Sequence, residues 1–143
     1  MNTSNKPTLQ LSVSCACGDA SLTVRGPVQF MLLCACRDCQ KATGTGHSSG
    51  AGVRREDVVV TGPVKSFARP AASGATFTRH FCPVCGTPLF GTSSRAPALM
   101  ILPAGLFGDA SDWFSPSQLI FTRTHRDWDT LPESLPRYEA YRG

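Results

Sequence analysis

The chain has 143 residues and a formal net charge of +4, from 14 lysine and arginine residues against 10 aspartate and glutamate residues. Its longest basic run is Arg54-Arg55, so it lacks the clustered basic stripe of a nucleic-acid-binding face, and we interpret the charge as a solvated surface with no nucleic-acid partner. The length predicts one domain, residues 1–143, with a modest hydrophobic core.

The distribution of apolar residues argues against export and against membrane insertion. The segment from Met1 to Leu11 contains Lys6 and no continuous apolar stretch of signal-peptide length. The most apolar run, Val28 to Cys36, is far shorter than the roughly 20 residues that cross a bilayer. We therefore expect a cytoplasmic protein without membrane contact.

Short strands dominate the first part of the chain. Apolar and polar residues alternate over 9–13 and again over 22–24, which predicts two strands joined by a hairpin-like turn. A buried strand is predicted over Val28–Cys34. The polar segment 37–43 predicts one or two helical turns, and the residues 45–50, rich in glycine and serine, predict a loop.

The remainder of the chain is also predicted to form strands, which are separated by Gly, Pro and Ser residues. They are predicted at Asp57–Thr61, Val64–Ala68, Ala75–Phe81, Pro88–Thr92, Leu99–Leu102 and Gln118–Thr122. Residues 70–74 predict an exposed turn, and the tail from Asp127 to Gly143 predicts a short helix or an extended segment on the sheet. The fold class is therefore mainly β.

All seven cysteines fall into three tight clusters. They are Cys15-Ala16-Cys17, Cys34-Ala35-Cys36-Arg37-Asp38-Cys39 and Cys82-Pro83-Val84-Cys85. Thiolates one or two residues apart can chelate one tetrahedral metal, and four of them close a structural zinc site, whereas three leave one coordination position open. The first and last clusters together form a closed four-thiolate site, and the central cluster forms a three-thiolate site. This division predicts two Zn²⁺ ions per chain.

Disulfide bonds are the alternative, and the odd number of cysteines argues against them because one thiol would have no partner. A bond between Cys15 and Cys17 would also close a small, strained ring. Gly18 and Gly86 each follow a cysteine directly, and both favour metal binding because a zinc knuckle needs a residue that tolerates positive φ.

The residues around the clusters resemble a known family. Val13–Gly18, Cys34–Gly44 and Phe81–Phe90 are similar, in order and spacing, to the motifs of the glutathione-dependent formaldehyde-activating enzyme family, which includes centromere protein V. The similarity extends over roughly residues 9–128. One position departs from the family pattern: the family frequently has histidine where this chain has Ala35.

The resemblance implies a zinc-bearing fold of folded-over antiparallel sheets, similar to that of a small guanine-nucleotide-exchange chaperone of Rab proteins. It also implies roles for the cysteines. The structural zinc ligands would be Cys15, Cys17, Cys82 and Cys85, and the catalytic zinc ligands would be Cys34, Cys36 and Cys39.

The activity that the resemblance implies is that of a carbon–sulfur lyase, similar to S-(hydroxymethyl)glutathione synthase, with glutathione and formaldehyde as partners. A zinc ion with an open position can accept the glutathione sulfur and lower its pKa, after which the sulfur attacks the aldehyde carbon. A non-catalytic alternative remains: a zinc-stabilised binding module on the same fold, whose three-cysteine site is completed by another ligand.

Charged residues inside the central motif have two interpretations each. Arg37 and Lys41 could offset the negative charge of three thiolates and meet the carboxylates of a substrate, or they could be ordinary exposed helix residues. Asp38 could orient a ligand through its carboxylate, or it could cap a short helix.

Of the three histidines, His47 follows the central motif most closely. It could serve as a proton shuttle or a fourth metal ligand, or it could be a hydrogen-bonded loop residue. His80 is expected to pack beside the four-cysteine site. His125 lies in a polar turn, and the sequence assigns it no role.

Overall fold

The computed structural model describes residues 6–141. Within this range the chain forms eleven β-strands and one α-helix. The strands are β1 (Thr8–Ser14), β2 (Ser21–Pro27), β3 (Phe30–Cys34), β4 (Ser48–Arg54), β5 (Val58–Thr61), β6 (Lys65–Pro70), β7 (Thr76–Phe81), β8 (Pro88–Ser93), β9 (Leu99–Pro103), β10 (Leu119–Ile120) and β11 (Arg137–Tyr138). The helix α1 spans Arg37–Thr43, and 3₁₀ turns occur at Arg55–Asp57, Ala104–Ala110 and Thr122–Thr124.

The strands form two sheets, which confirms the expected mainly β fold. A three-stranded sheet has the order β1-β2-β5, and an eight-stranded sheet has the order β11-β10-β3-β4-β9-β8-β7-β6. Neighbouring strands are antiparallel except at one edge, where β10 pairs in parallel with both β3 and β11. The family resemblance implied antiparallel sheets, and these two parallel pairs are the exception to that pattern.

The larger hydrophobic core brings the two sheets together. Side chains two residues apart in a strand lie on one face, and in β2 the two such residues Leu22 and Val24 are fully buried. The buried members of this core are Leu9, Leu22, Val24, Val28, Met31, Ala51, Val53, Met100, Leu102 and Phe107.

The expectation of a loop over residues 45–50 is wrong for its second half, because Ser48–Gly50 begin the central strand β4. The small residues of this strand serve close packing. A side chain at Gly52 would collide with the ring of Phe30, and one at Gly50 would come within 2.8 Å of the Cγ2 atom of Ile101. Close contact with neighbouring strands thus requires small residues in β4. In the sequence alone, such residues are typical of a loop.

The strand predicted over Gln118–Thr122 is shorter than expected. Strand β10 ends because Phe121 has left-handed backbone angles, with φ 61° and ψ 43°. The described part of the tail consists of turns and the short strand β11 and contains no helix, so the alternative of a helix is wrong there. Within residues 6–141, no helix has the length and apolar character of a membrane-spanning segment.

The two ends of the eight-stranded sheet approach each other around α1. Arg69, in the edge strand β6, lies 3.3 Å from the carboxylate of Asp38 in α1. Arg95, between β8 and β9, lies 4.7 Å from the ring centre of Tyr141, which follows the other edge strand, β11. The central cysteine motif, between β3 and the end of α1, is therefore flanked by contributions from both ends of this sheet.

Candidate metal centres

The first and last cysteine clusters meet in space. Cys15 and Cys17 lie in the turn between β1 and β2, Cys82 and Cys85 lie in the turn between β7 and β8, and all four sulfurs lie within 4.8 Å of one another. The Cys17 sulfur is 3.6 Å from that of Cys15 and 3.7 Å from that of Cys82. A tetrahedron with metal–sulfur bonds of about 2.3 Å has edges of about 3.8 Å. The sulfur positions therefore fit one tetrahedral metal ion.

None of these sulfurs is bonded to another. All seven cysteines are free thiols, and the separations above are far longer than the roughly 2.05 Å of a disulfide bond. The disulfide alternative is therefore wrong for this structure.

Both turns have the geometry of a metal-binding knuckle. Gly18 and Gly86 have φ angles of 84° and 77°, which glycine adopts without steric cost. The Gly86 amide donates to the carbonyl of Cys82 at 2.8 Å, and the Gly18 amide donates to the carbonyl of Cys15 at 3.1 Å. Each turn thus folds back so that its two thiols lie side by side.

Hydrogen bonds to sulfur favour the thiolate form of Cys15 and Cys85, whereas burial and the neighbouring thiols raise the pKa of Cys17 to about 12. The amide of Ala20 donates to the Cys15 sulfur at 3.3 Å and lowers the pKa of Cys15. The Thr87 hydroxyl lies 3.1 Å from the Cys85 sulfur and is the main cause that lowers the pKa of Cys85 to about 5. The same hydroxyl accepts from the amide of Ala16 at 3.1 Å, so it also joins the two turns.

One side chain, that of Phe90, lies between His80 and the four-cysteine centre. The His80 ring stacks on Phe90 at 4.1 Å between ring centres, and Phe90 packs against the buried group that contains Cys15 and Cys82. The Nε2 atom of His80 lies 3.1 Å from the Thr92 hydroxyl. Burial, helped by the charge of Arg55, lowers the pKa of His80.

The central motif forms a second cluster with three sulfurs. Cys34 ends β3, Cys36 is the N-cap of α1, and Cys39 lies in its first turn, where the Cys39 amide donates to the Cys36 sulfur at 3.3 Å. The three sulfurs lie within 4.8 Å of one another, and no histidine or carboxylate of residues 6–141 joins them. Cys34 is buried, whereas Cys36 and Cys39 are only half-buried. The cluster can therefore hold a metal on three thiolates and leave one side accessible.

The three thiols of this cluster differ in pKa. Hydrogen bonds from the thiols of Cys34 and Cys39 lower the pKa of Cys36 to about 2. The pKa of Cys34 is raised, chiefly by the hydrogen bonds that its thiol donates to Cys36 and Cys39. Cys34 and the hydroxyl of Ser48, at the start of β4, lower the pKa of Cys39, but Cys36 and burial outweigh them and raise it to about 11.

Ala35, the position that departs from the family pattern, is completely buried. Its carbonyl accepts hydrogen bonds from Gln40 Nε2 at 2.8 Å and from the Thr124 hydroxyl at 2.9 Å. Its side chain packs with Leu33 and Leu119. The small side chain fits a filled interior, so a larger residue here would require the surrounding elements to move.

Aromatic side chains from the C-terminal tail complete the surroundings of the cluster. Cys34 packs with Ile120 and Phe121, and Tyr138 and Tyr141 pack against this group. The Phe121 and Tyr141 rings meet edge to face, with their centres 4.9 Å apart. The cluster therefore has an apolar side, which the sequence patterns did not assign to it.

Arg69 is a cation whose charge reaches this cluster, because it contributes to the low pKa of Cys36. Arg37 and Lys41 lie about 160° and 200° around the helix from Cys39, and they line a cavity of about 430 Å³ together with Arg126 and Trp128. That substrate carboxylates contact Arg37 and Lys41 stays a prediction. The sequence could not reveal Arg69, because it lies in β6, far along the chain from the cysteines.

Asp38 does not cap α1, because the sulfur of Cys36 takes that position. The alternative of a capping role is therefore wrong. The Asp38 carboxylate forms an ion pair with Arg69 instead.

His47 and His125 share one carboxylate. The Oδ2 atom of Asp129 lies 2.6 Å from Nδ1 of His47 and 2.9 Å from Nε2 of His125. Burial opposes ionisation, but hydrogen bonds from both histidines lower the pKa of Asp129 overall. The sequence assigned His125 no role, and in the structure it ties the 3₁₀ turn after β10 to the start of β4 through Asp129.

We expect Asp129→Asn to lower the thermal stability of the protein, because both histidines bond the same carboxylate oxygen and an amide oxygen in its place accepts from both without the negative charge. Loss of charge assistance from two hydrogen bonds costs about 2 kcal/mol, or about 4–8 °C in Tm. Circular dichroism at pH 7 measures the change, and Asp127→Asn, at an exposed neighbouring position, is the matched control. An unchanged Tm for Asp129→Asn would show that the bridge contributes nothing to stability.

Comparison with known proteins gives two findings. The family model described as glutathione-dependent formaldehyde-activating enzyme matches residues 10–124. The crystal structure of a Rhodobacter sphaeroides protein is similar with a TM-score of 0.55 and 15% sequence identity, over 68% of this chain and 88% of that chain. At this identity the likeness concerns the fold alone. No curated protein matches the chain.

Proposed function

Because the chain belongs to the glutathione-dependent formaldehyde-activating enzyme family, we propose that it is a zinc-dependent carbon–sulfur lyase of the S-(hydroxymethyl)glutathione synthase type. The observation that carries the proposal is the second cluster, in which Cys34, Cys36 and Cys39 converge with no fourth ligand from residues 6–141. A site of three thiolates with an accessible side is what a reaction with an external thiol requires.

We assign the two clusters different roles. Cys15, Cys17, Cys82 and Cys85 would hold a structural zinc, and Cys34, Cys36 and Cys39 would hold the catalytic one, with two Zn²⁺ per chain. When bound at the second cluster, zinc would supply a Lewis-acidic position that favours the ionised form of a thiol. Residues 1–143 would act as one domain, and the free thiols favour a reducing compartment such as the cytoplasm.

In the proposed reaction the thiol proton leaves the glutathione sulfur, and a new carbon–sulfur bond forms to formaldehyde. The carbonyl π electrons pass to oxygen, which takes up a proton, so that the product is S-(hydroxymethyl)glutathione. The positive charge of Arg69 favours the thiolate, and the apolar side chains of Ile120 and Phe121 limit water around the sulfurs. The reverse direction is a carbon–sulfur cleavage.

We propose His47 as the group that carries the proton. With Nδ1 donating to Asp129, its Nε2 is the acceptor atom. Asp129 fixes this tautomer and the orientation of the ring, in the way that carboxylates position histidine bases in other enzymes.

The alternative of a non-catalytic binding module needs another ligand at the second cluster, and His47 was the candidate. The Nδ1 atom of His47 is engaged by Asp129, and no histidine joins the three sulfurs within residues 6–141. This arrangement supports the enzyme over the module.

Exchange NMR of formaldehyde and glutathione at equilibrium tests the proposal. We expect zinc-loaded protein to accelerate the interconversion of free glutathione and its hydroxymethyl adduct above the rate of the same mixture without protein. No acceleration at any protein concentration would remove this pair of substrates from the proposal.

A further inference from the structure

The guanidinium of Arg69 lies beside the three-cysteine cluster with much of its hydrogen-bonding capacity unused. Its Nη1 atom is 3.3 Å from Asp38 Oδ2 and 3.4 Å from the carbonyl of Pro70. A guanidinium has five N–H donors, and charge-assisted bonds are usually about 2.7–2.9 Å long. Among residues 6–141, Arg69 therefore makes only long contacts, and several of its donors remain available.

The position of this guanidinium relative to the sulfurs follows from two observations. Asp38, its ion-pair partner, lies between Cys36 and Cys39 in the chain. Cys36 and Cys39, on either side of Asp38, are the half-buried cysteines of the cluster, whereas Cys34 is buried. Arg69 thus lies against the first turn of α1, which carries Cys39 and begins at Cys36, the two sulfurs of the cluster that an incoming thiol can approach.

The ring of Phe77 holds the side chain of Arg69 in place. Arg69 lies over the ring of Phe77, its partner on the neighbouring strand β7, with the guanidinium carbon 4.9 Å from the ring centre. That ring in turn occupies the space above Gly91, where any side chain would collide with it. Stacking on a fixed ring orients the planar guanidinium and lowers the entropic cost of binding a ligand.

Asp38 is a weak competitor for this guanidinium. Its side chain is 53% exposed, whereas that of Arg69 is 21% exposed. Ion pairs of this exposed kind contribute little free energy because water solvates both charges. A carboxylate that arrives with a bound thiol can therefore replace Asp38 and form a bidentate pair with Arg69.

We infer that Arg69 binds a carboxylate of the thiol substrate and thereby makes the site specific for anionic thiols. The inference rests on the proposed function, because it assigns a substrate contact to the same site. Arg69 would be a specificity-determining residue: it recognises the part of the thiol that does not react.

Isothermal titration of zinc-loaded protein with glutathione, and with its diester in which both carboxylates are blocked, tests this inference. We expect wild type to bind glutathione about 10- to 100-fold more tightly than the diester, the range of a charged hydrogen-bonded pair. Arg69→Ala should bind both compounds equally within about twofold, since the preference depends on this side chain. Arg69→Lys should keep part of the preference, because it retains the charge without the planar fork.

Arg79→Ala is the matched control, because Arg79 also stacks on a ring, that of Phe67, at the same end of the sheet. It should keep the preference of wild type. If Arg69→Ala kept this preference, or if wild type showed none, the inference would be wrong.

The same proteins in the NMR exchange assay separate this inference from the proposed function. Acceleration by wild type with no change in carboxylate preference in Arg69→Ala would overturn the inference and leave the function standing. An Arg69-dependent preference in binding without acceleration would overturn the function and leave the inference standing. Zinc content and Tm of each variant verify that it folds.

Discussion

Cys85→Ser is expected to unfold the protein or to lower its Tm by more than about 10 °C. Cys85 belongs to the centre whose four sulfurs come from two different sheets, because the turn between β1 and β2 lies in the small sheet and the turn between β7 and β8 in the large one. Structural zinc contributes about 10–16 kcal/mol of apparent binding free energy, as much as the whole stability of an ordinary domain, about 5–15 kcal/mol.

Thermal melting with detection by circular dichroism, together with zinc analysis, measures this effect. Val84→Ser is the matched control, because Val84 lies in the same turn and is 66% exposed without contributing a ligand. Such a surface substitution should change stability by less than about 0.5 kcal/mol. A Cys85→Ser protein as stable as Val84→Ser would show that the four-cysteine centre does not support the fold.

Cys36→Ser is expected to abolish catalysis and to leave the fold intact. Cys36 is both a sulfur of the second cluster and the N-cap of α1, where it accepts a hydrogen bond from the Cys39 amide. Serine is among the preferred N-cap residues, so the substitution removes the thiolate and preserves the start of the helix. Loss of Lewis-acid stabilisation worth several kcal/mol lowers the rate by at least about 10²-fold.

The readouts are the NMR exchange rate, the zinc content and the Tm. Cys36→Ser should retain about one zinc ion per chain at the four-cysteine centre. Cys36→Ala, which also loses the cap, should be less stable than Cys36→Ser by about 1 kcal/mol. If Cys36→Ser unfolded as Cys85→Ser does, the division of the cysteines into a structural and a catalytic set would be wrong.

The grouping of the cysteines could be predicted from the sequence because chelation is largely a local property. Residues one or two positions apart are brought together by one turn or one helical turn, and only the meeting of the first and last clusters depends on the tertiary fold. The glycines after Cys17 and Cys85 marked both turns. Counting sulfurs then left one division in which no cluster is broken, and the structure brings together the same two groups.

The surroundings of the second cluster could not be predicted in this way, because they come from elements distant in the chain. Arg69 arrives from the opposite edge of the sheet, and its sequence neighbours carry no motif that marks it. His47 and His125 meet at Asp129 only after the segment beyond β10 folds back. Arg37 and Lys41 each lie two positions from Cys39 in sequence. Two positions on a helix, however, turn a side chain to nearly the opposite face from Cys39.

The strand β4 illustrates the same limit for the fold. Serine and glycine are typical of loops in a sequence, yet in β4 they are the residues that fit beneath Phe30 and Ile101. Strand propensity in such a position is decided by the neighbours across the sheet rather than by the residue itself.

X-ray absorption at the zinc edge tests the central claim most directly, namely that four thiolates close one site and three leave another accessible. Wild type, kept reduced with a phosphine so that no added thiol binds, should show about 3.5 sulfur and about 0.5 lighter ligands per zinc, with two zinc ions per chain. Cys36→Ser should show about four sulfur ligands at about 2.3 Å around its single remaining zinc. A wild-type protein with one zinc in a pure four-sulfur environment would contradict the claim.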